Sequence, residues 1–287
     1  MKNIKKIGII LVIVGSIVLG VAALQVGGNW ERLSSVTPFE EKYFTTSAEI
    51  TRIEVDVDNV EVIVEPSDDD GVHVVYFENN RMTYEIKEGS NQKLTIKNKF
   101  SNNISDWVGI NISEGENYLK ILVPSDSKVE IDIEGSNGSI SVEDIQLSKA
   151  LIKTSNAKIS LQDVDVLDRF EVKTSNGKIE LINVSGNNII VKTSNGRIEA
   201  DNVTMADKLE LTTSNSAIDV YEISAGNLID LKTSNANISG RITGKKEDFR
   251  INSSTSNGSD NLGNSDGGSK SLRVETSNGS IDISFYE

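Results

Sequence analysis

From residue 135 onward one phrase keeps returning: Ser-Asn, preceded in seven of eight copies by Thr, then Gly or a small residue, one further residue and usually Ile. Its asparagines are Asn137, Asn156, Asn176, Asn195, Asn215, Asn235, Asn257 and Asn278, at spacings of 19, 20, 19, 20, 20, 22 and 21 residues. A near-constant period of about twenty is the signature of a solenoid, in which each repeat is one coil that buries its apolar face only against its neighbours. Six and four residues before the asparagines stand pairs such as Ile131 and Ile133, Phe170 and Val172, Ile189 and Val191, and Leu209 and Leu211. That alternation marks strands with one face inward. Beyond the corner, Ile140, Ile159, Ile179, Ile198, Ile218, Ile238 and Ile281 resume the core.

The same parity predicts that the repeated threonines, and the asparagines with them, point inward. Gly follows Asn at five of the eight corners. Because Gly accepts positive φ freely and Asn tolerates it, the expected corner carries a left-handed residue. Asparagines at the same corner of successive coils are expected to stack into an amide ladder, a structural role. The predicted fold is all-β: a parallel β-solenoid (β-helix-like) of about eight 20-residue coils over residues 128–287, with an N-terminal β cap region, preceded by one transmembrane helix.

Residues 50–127 keep a strand pattern without the motif, as in IEVDVDNVEVIVEP and YLKILVP, and read as a β-rich cap or as degenerate coils. Ile53, Val55 and Val57 alternate before Asn59 in the manner of a coil. Residues 259–269 (SDNLGNSDGGS) form a polar insertion that breaks the pattern after the seventh corner, and Phe285 is expected over the open face of the last coil. At the other end, residues 7–24 are an uncharged apolar run of 18, preceded by Lys2, Lys5 and Lys6. Such a run is long enough to span a bilayer, and the flanking lysines place the N-terminus in the cytoplasm. The resulting division is a basic cytoplasmic tail (1–6), a transmembrane anchor or signal peptide (7–26), a tether (27–49), the cap (50–127) and the repeats (128–287). Either reading of the apolar run exports the rest of the chain, and the expected location is the cell membrane, single-pass, with the C-terminal domain extracytoplasmic.

The segments KTSNAKISL, KTSNGKIEL and KTSNGRIEA, together with the N-terminal apolar segment, resemble the LiaG-like putative adhesin family of bacterial envelope proteins. The resemblance implies a β-solenoid-like domain over roughly residues 50–287, a cell-envelope location with a link to envelope stress, and no assigned catalytic residues.

Chemistry is sparse. There is no cysteine and one histidine, His73, within the strand-like VHVVYF, so zinc sites of the usual His/Cys type are excluded by count. The formal charge of −14 opposes nucleic-acid binding. Carboxylates recur in columns, Glu180, Glu199 and Asp219 after the corner and Asp144 and Asp163 at a second turn, with Asn183 and Asn202 continuing the latter. A catalytic pair would appear once, so these read as surface and turn residues. Asp68, Asp69, Asp70 and Gly71 read as a hairpin turn, since the alternating ligand spacing of a calcium loop is missing. No catalytic residue, cofactor or metal is expected. The function predicted is a non-enzymatic scaffold or binding module, and its rival is a polysaccharide-acting solenoid hydrolase or lyase.

One charge pattern runs against the overall sign. Lys153, Lys173, Lys192 and Lys232 stand three residues before corner asparagines, and Lys158, Lys178 and Arg197 two after them. Stacked coils would align them into two outward basic columns. The partners predicted are the cytoplasmic membrane, through the N-terminal helix, and an anionic cell-wall polymer, a lipid or another envelope protein along the basic strip. Ordinary pairing with neighbouring carboxylates such as Glu171 and Glu180 competes with that role.

Overall fold

The computed structural model describes residues 38–46, 49–101, 116–125 and 128–287. The apolar run at 7–24 and the tether before residue 38 lie outside these residues; among the described residues no helix is long and apolar enough to cross a membrane. The chain divides into two units, a small one comprising Met1–Glu41, Phe77–Thr83 and Lys99–Asn117, and a large one comprising Lys42–Tyr76, Tyr84–Asn98 and Tyr118–Glu287. In the small unit Asn79 shapes a turn, its Oδ1 accepting from the backbone N–H groups of Arg81 and Met82 at 2.9 Å each.

Among the described residues the regular secondary structure is nearly all strand: β1 (Glu40–Thr45), β2 (Arg52–Val57), β3 (Glu61–Ser67), β4 (His73–Glu78), β5 (Met82–Gly89), β6 (Lys93–Phe100), β7 (Tyr118–Pro124), β8 (Glu130–Gly135), β9 (Ile140–Leu147), β10 (Lys149–Lys153), β11 (Ile159–Lys173), β12 (Ile179–Lys192), β13 (Ile198–Thr212), β14 (Ile218–Ala225), β15 (Leu228–Lys232), β16 (Ile238–Thr243), β17 (Phe249–Ser254), β18 (Lys270–Glu275) and β19 (Ile281–Tyr286). In the large unit the repeats stack in parallel with like on like. Ile159, Ile179, Ile198, Ile218 and Ile238 form one column, and Val172, Val191, Leu211 and Leu231 another.

Each regular coil has three faces. In β11, Ile159 and Leu161 are buried, then Val164 and Val166, then Phe170 and Val172. The buried parity switches from odd to even at Asp163, whose φ of 54° bends the strand. Asp144, Asn183, Asn202 and Glu222 repeat the bend, with φ between 52° and 55°. Within these repeats the left-handed residues therefore belong to this second turn, where short polar side chains tolerate that conformation best; ahead of the repeats, Asn59 is also left-handed, with φ of 58°.

The Asn-Gly corner is built differently from expectation. None of its asparagines in the eight copies has positive φ, and none of its glycines does. At individual corners Gly serves for room: a Cβ on Gly177 would lie 1.6 Å from the carbonyl oxygen of Ala157, and one on Gly196 1.6 Å from that of Gly177, while Ala157, Ser216 and Ala236 carry a Cβ at the other three. The inward parity also stops at the threonines. Thr154, Thr174, Thr193, Thr213, Thr233 and Thr276 are buried, whereas the eight asparagines are exposed. A tight corner turns the chain between Thr and Ile, so strand alternation no longer governs the residues within it.

At both ends the coils do not stack in chain order. β18 lies between β15 and β17, pairing Val274 with Leu231 on one side and with Ser253 on the other, and β19 pairs with β16. The final coil is thus inserted between the sixth and seventh. At the opposite end β2 pairs with β6 and β8, and β3 with β7 and β9, so the first coil is likewise enclosed by later segments. Phe285 accordingly does not cover the last face of the stack; its ring packs 5.5 Å from that of Phe249. The polar insertion has a structural task instead. Asp260 continues the parallel pairing against Ile281, Leu262 is buried, and Ser265 folds back to exchange backbone hydrogen bonds with Ile251 at 2.8 and 3.0 Å. That antiparallel return pairs part of an edge strand that would otherwise be open. At the other end, β4 runs antiparallel beside β7.

Candidate functional site

The corner asparagines form a continuous ladder. From Asn137 to Asn235 each Nδ2 donates to the Oδ1 of the preceding rung at 2.6–2.8 Å, and Asn137 donates to Asn59. The interleaved end extends it out of sequence, with Asn278 donating to Asn235 and Asn257 to Asn278, each at 2.8 Å. Asn59, noted in the sequence only as the end of an alternating run, is thus a rung. Beneath the ladder the threonine hydroxyls tie the corners together: Thr213 donates to the Gly196 carbonyl at 3.0 Å, and the backbone N–H groups of Gly177 and Gly196 donate to Thr174 and Thr193 at 3.1 Å. With donors and acceptors matched rung to rung, the ladder reads as structure.

Beside it runs the first basic column. Strand register places Lys153 next to Lys173 and Lys173 next to Lys192, on three consecutive coils. The column continues through Thr212 to Lys232, and on its other side through Glu134. A shallow groove of about 590 Å³ follows it, lined by the three lysines, Ser155, Ser175 and Ser194, the threonines below and Glu134. Three in-register cations here adjoin exposed serine hydroxyls, an arrangement that faces an anion.

The two basic columns differ in how far they are neutralised. Lys158 reaches Glu180 at 2.5 Å, Lys178 reaches Glu199 at 2.7 Å and Glu180 at 3.1 Å, and Arg197 reaches Asp219 at 3.2 Å. This second column is a ladder of ion pairs. The hydrogen bond that Lys178 donates to Glu199 holds its ammonium above its ordinary value, and the one that Lys158 donates to Glu180 holds that carboxyl below its own. In the first column Lys153 pairs with Glu134 at 2.9 Å, which raises its pKa, and Lys232 pairs with Glu275 at 2.8 Å. Lys173 shares the buried Glu171 with Arg169, and those two cations hold the Glu171 carboxyl below its ordinary value. Lys192 is exposed and is the member of the strip with no carboxylate in ion-pairing range among the described residues. The pairs of Lys153 with Glu134 and of Lys232 with Glu275 are exposed and exchange readily with an incoming anion, since each is worth little in water, whereas Lys173 is held by a buried carboxylate.

His73 closes a hydrogen-bonded chain, its Nε2 2.7 Å from Asp69 Oδ1 and its Nδ1 3.0 Å from Thr45 Oγ1. The order Asp-His-Thr has the outline of a catalytic triad. Asp69, however, also accepts from the Gly71 N–H at 2.8 Å and from the Ser67 hydroxyl at 3.1 Å, as a turn cap does. The Thr46 N–H donates to the Val72 carbonyl at the same junction. The histidine therefore fastens the end of β1 to the turn before β4. Among the described residues no group of three or more His, Cys, Asp or Glu is placed to hold a metal ion.

The sequence pattern that defines the Toastrack DUF4097 family matches residues 50–285. The chain belongs to that family. Its resemblance to LiaG-like proteins is consistent with Toastrack membership. No curated protein matches the sequence. Among solved structures, a putative adhesin from Parabacteroides merdae is 12% identical, with a TM-score of 0.39 over 88% of this chain and 98% of its own. A putative adhesin from Parabacteroides distasonis is 11% identical, with a TM-score of 0.41 over 88% and 99%. A putative lipid binding protein from the same organism is 15% identical, also at 0.41 over 88% and 99%. Likeness at this level leaves the site of the present Toastrack chain to be read from its own residues.

Proposed function

We propose that this Toastrack protein is a non-catalytic, adhesin-like binding module, carried on the outer face of a bacterial membrane by its N-terminal apolar segment, and that it holds an extended anionic polymer along the groove beside Lys153, Lys173 and Lys192. The supporting observation is the register: three lysines on adjacent coils of a chain with formal charge −14, the third without a carboxylate partner among the described residues. Coils about 4.8 Å apart present charges at a spacing an extended polyanion can follow, and several weak contacts in a row sum to useful avidity. Ser155, Ser175 and Ser194 add hydroxyls along the same groove for the uncharged parts of such a polymer.

The test replaces Lys153, Lys173 and Lys192 together by Gln in the full chain, alongside a control carrying Lys158→Gln and Lys178→Gln. Salt-dependent binding to a purified anionic wall polymer and to anionic vesicles is then measured. The parent and the control should bind at low salt and release as salt rises, and the triple variant should lose most of that binding. A parent that binds neither probe, or a triple variant that binds as the parent does, overturns the reading. Release of products from a glycan panel by the parent would favour the hydrolase or lyase alternative.

A further inference from the structure

The ladder has a chemically exposed end. Five of its asparagines precede Gly, at 137, 176, 195, 257 and 278, and Asn-Gly is the dipeptide most prone to spontaneous deamidation because Gly leaves its backbone nitrogen unshielded. Four of the five side chains are held twice, donating through Nδ2 to one neighbour and accepting through Oδ1 from another. Asn257 is held once. Its Nδ2 donates to Asn278, but the interleaving of the last two coils makes it the final rung, and among the described residues no further asparagine donates to its Oδ1. The following glycine differs as well: Gly258 is exposed, whereas Gly177, Gly196 and Gly279 are buried, and the N–H groups of Gly177 and Gly196 are engaged by threonine hydroxyls.

We infer that Asn257 is this chain's modification site, where the folded protein converts Asn to aspartate and isoaspartate, while the other four Asn-Gly pairs are protected by the ladder. In the reaction hydroxide removes the Gly258 N–H proton and the nitrogen forms a bond to Asn257 Cγ. The Cγ–Nδ2 bond breaks, and Nδ2 takes a proton from water, which returns the hydroxide, and leaves as ammonia. Water then opens the succinimide at either carbonyl, and no oxidant or reductant is required. The side chain must leave its rung to react, which at Asn257 breaks one amide hydrogen bond and at the protected positions two. One such bond corresponds to a rate difference of several-fold to about tenfold, before the exposure of Gly258 adds to it.

The experiment incubates the full chain in mildly alkaline buffer and follows all five sites by peptide mapping with mass spectrometry, in parallel with the same chain in denaturant. In the folded protein Asn257 should convert at least about fivefold faster than any other Asn-Gly pair, and in denaturant the five should converge. Equal rates in the folded protein, a faster site elsewhere on the ladder, or the same preference for Asn257 in denaturant would overturn the inference.

Discussion

Gly177 lies so close to the coil before it that a methyl group would meet the Ala157 carbonyl oxygen at 1.6 Å. Gly263, in the polar insertion, has φ of 64° and nothing within 4 Å of its added Cβ. The two glycines therefore separate the reasons a chain retains this residue. Gly177→Ala should destabilise the protein by more than about 2 kcal/mol, because backbone must move in a packed stack. Gly263→Ala should lose only about 1 kcal/mol, the conformational penalty of a left-handed alanine. Urea unfolding midpoints of the two variants check this, and equal losses would contradict the steric account. The distinction was hidden in the sequence, where both glycines sit in turn-like surroundings. Close backbone approach leaves no mark on composition.

At the scale of the strand, inside and outside were legible from alternation along most of each coil. Ile198 is fully buried between Ile179 and Ile218, and Lys192, six residues earlier, is exposed. Ile198→Asp places a carboxylate in that column and should destabilise by more than about 4 kcal/mol, whereas Lys192→Asp should stay within about 0.5 kcal/mol. Thermal unfolding of both variants decides it; similar tolerance would remove the inside-outside assignment. The third face of each coil, with Val164 and Val166, Ile145 and Leu147, and Val203 and Met205, was not anticipated. Its parity is opposite to that of the face before it, since a single left-handed residue such as Asp163 resets the alternation. Asp144, Asp163, Asn183 and Asn202 had been placed at a turn, but a period-two pattern does not show that a strand bends and continues.

For the molecule as a whole, the order of coils at the C-terminal end is the consequential feature. β18 and β19 are the last strands in the chain, yet β17 lies beyond β18, and Asp260 pairs beyond β19 at Ile281. In a solenoid stacked in chain order, removing the last repeat would strip one end. Here, truncation after residue 268 removes the coil that joins β17 to the rest. Hydrogen exchange should then show protection lost at Phe249–Ser254 as well, with β11 to β13 still protected. Retained protection at β17 would mean that it re-docks on β15, and that the interleaving contributes little.

The sequence alone established the class, the period and the repeating core, because a twenty-residue repeat with two-residue alternation admits few ways to bury Ile, Val and Leu. It also marked the lysines of the groove and the asparagines of the ladder, since residues at a constant offset in successive coils must align. The tertiary structure decided which lysines remain available, because ion pairs across the stack join residues on different coils, as Lys178 with Glu199 and Arg197 with Asp219. It decided, too, that the coils interleave at the ends and that Asn257 is the last rung. Neighbouring coils offer nearly identical edges, so local pattern cannot rank them; what ranks them is how the polar insertion and the final strands together cover the end of the stack.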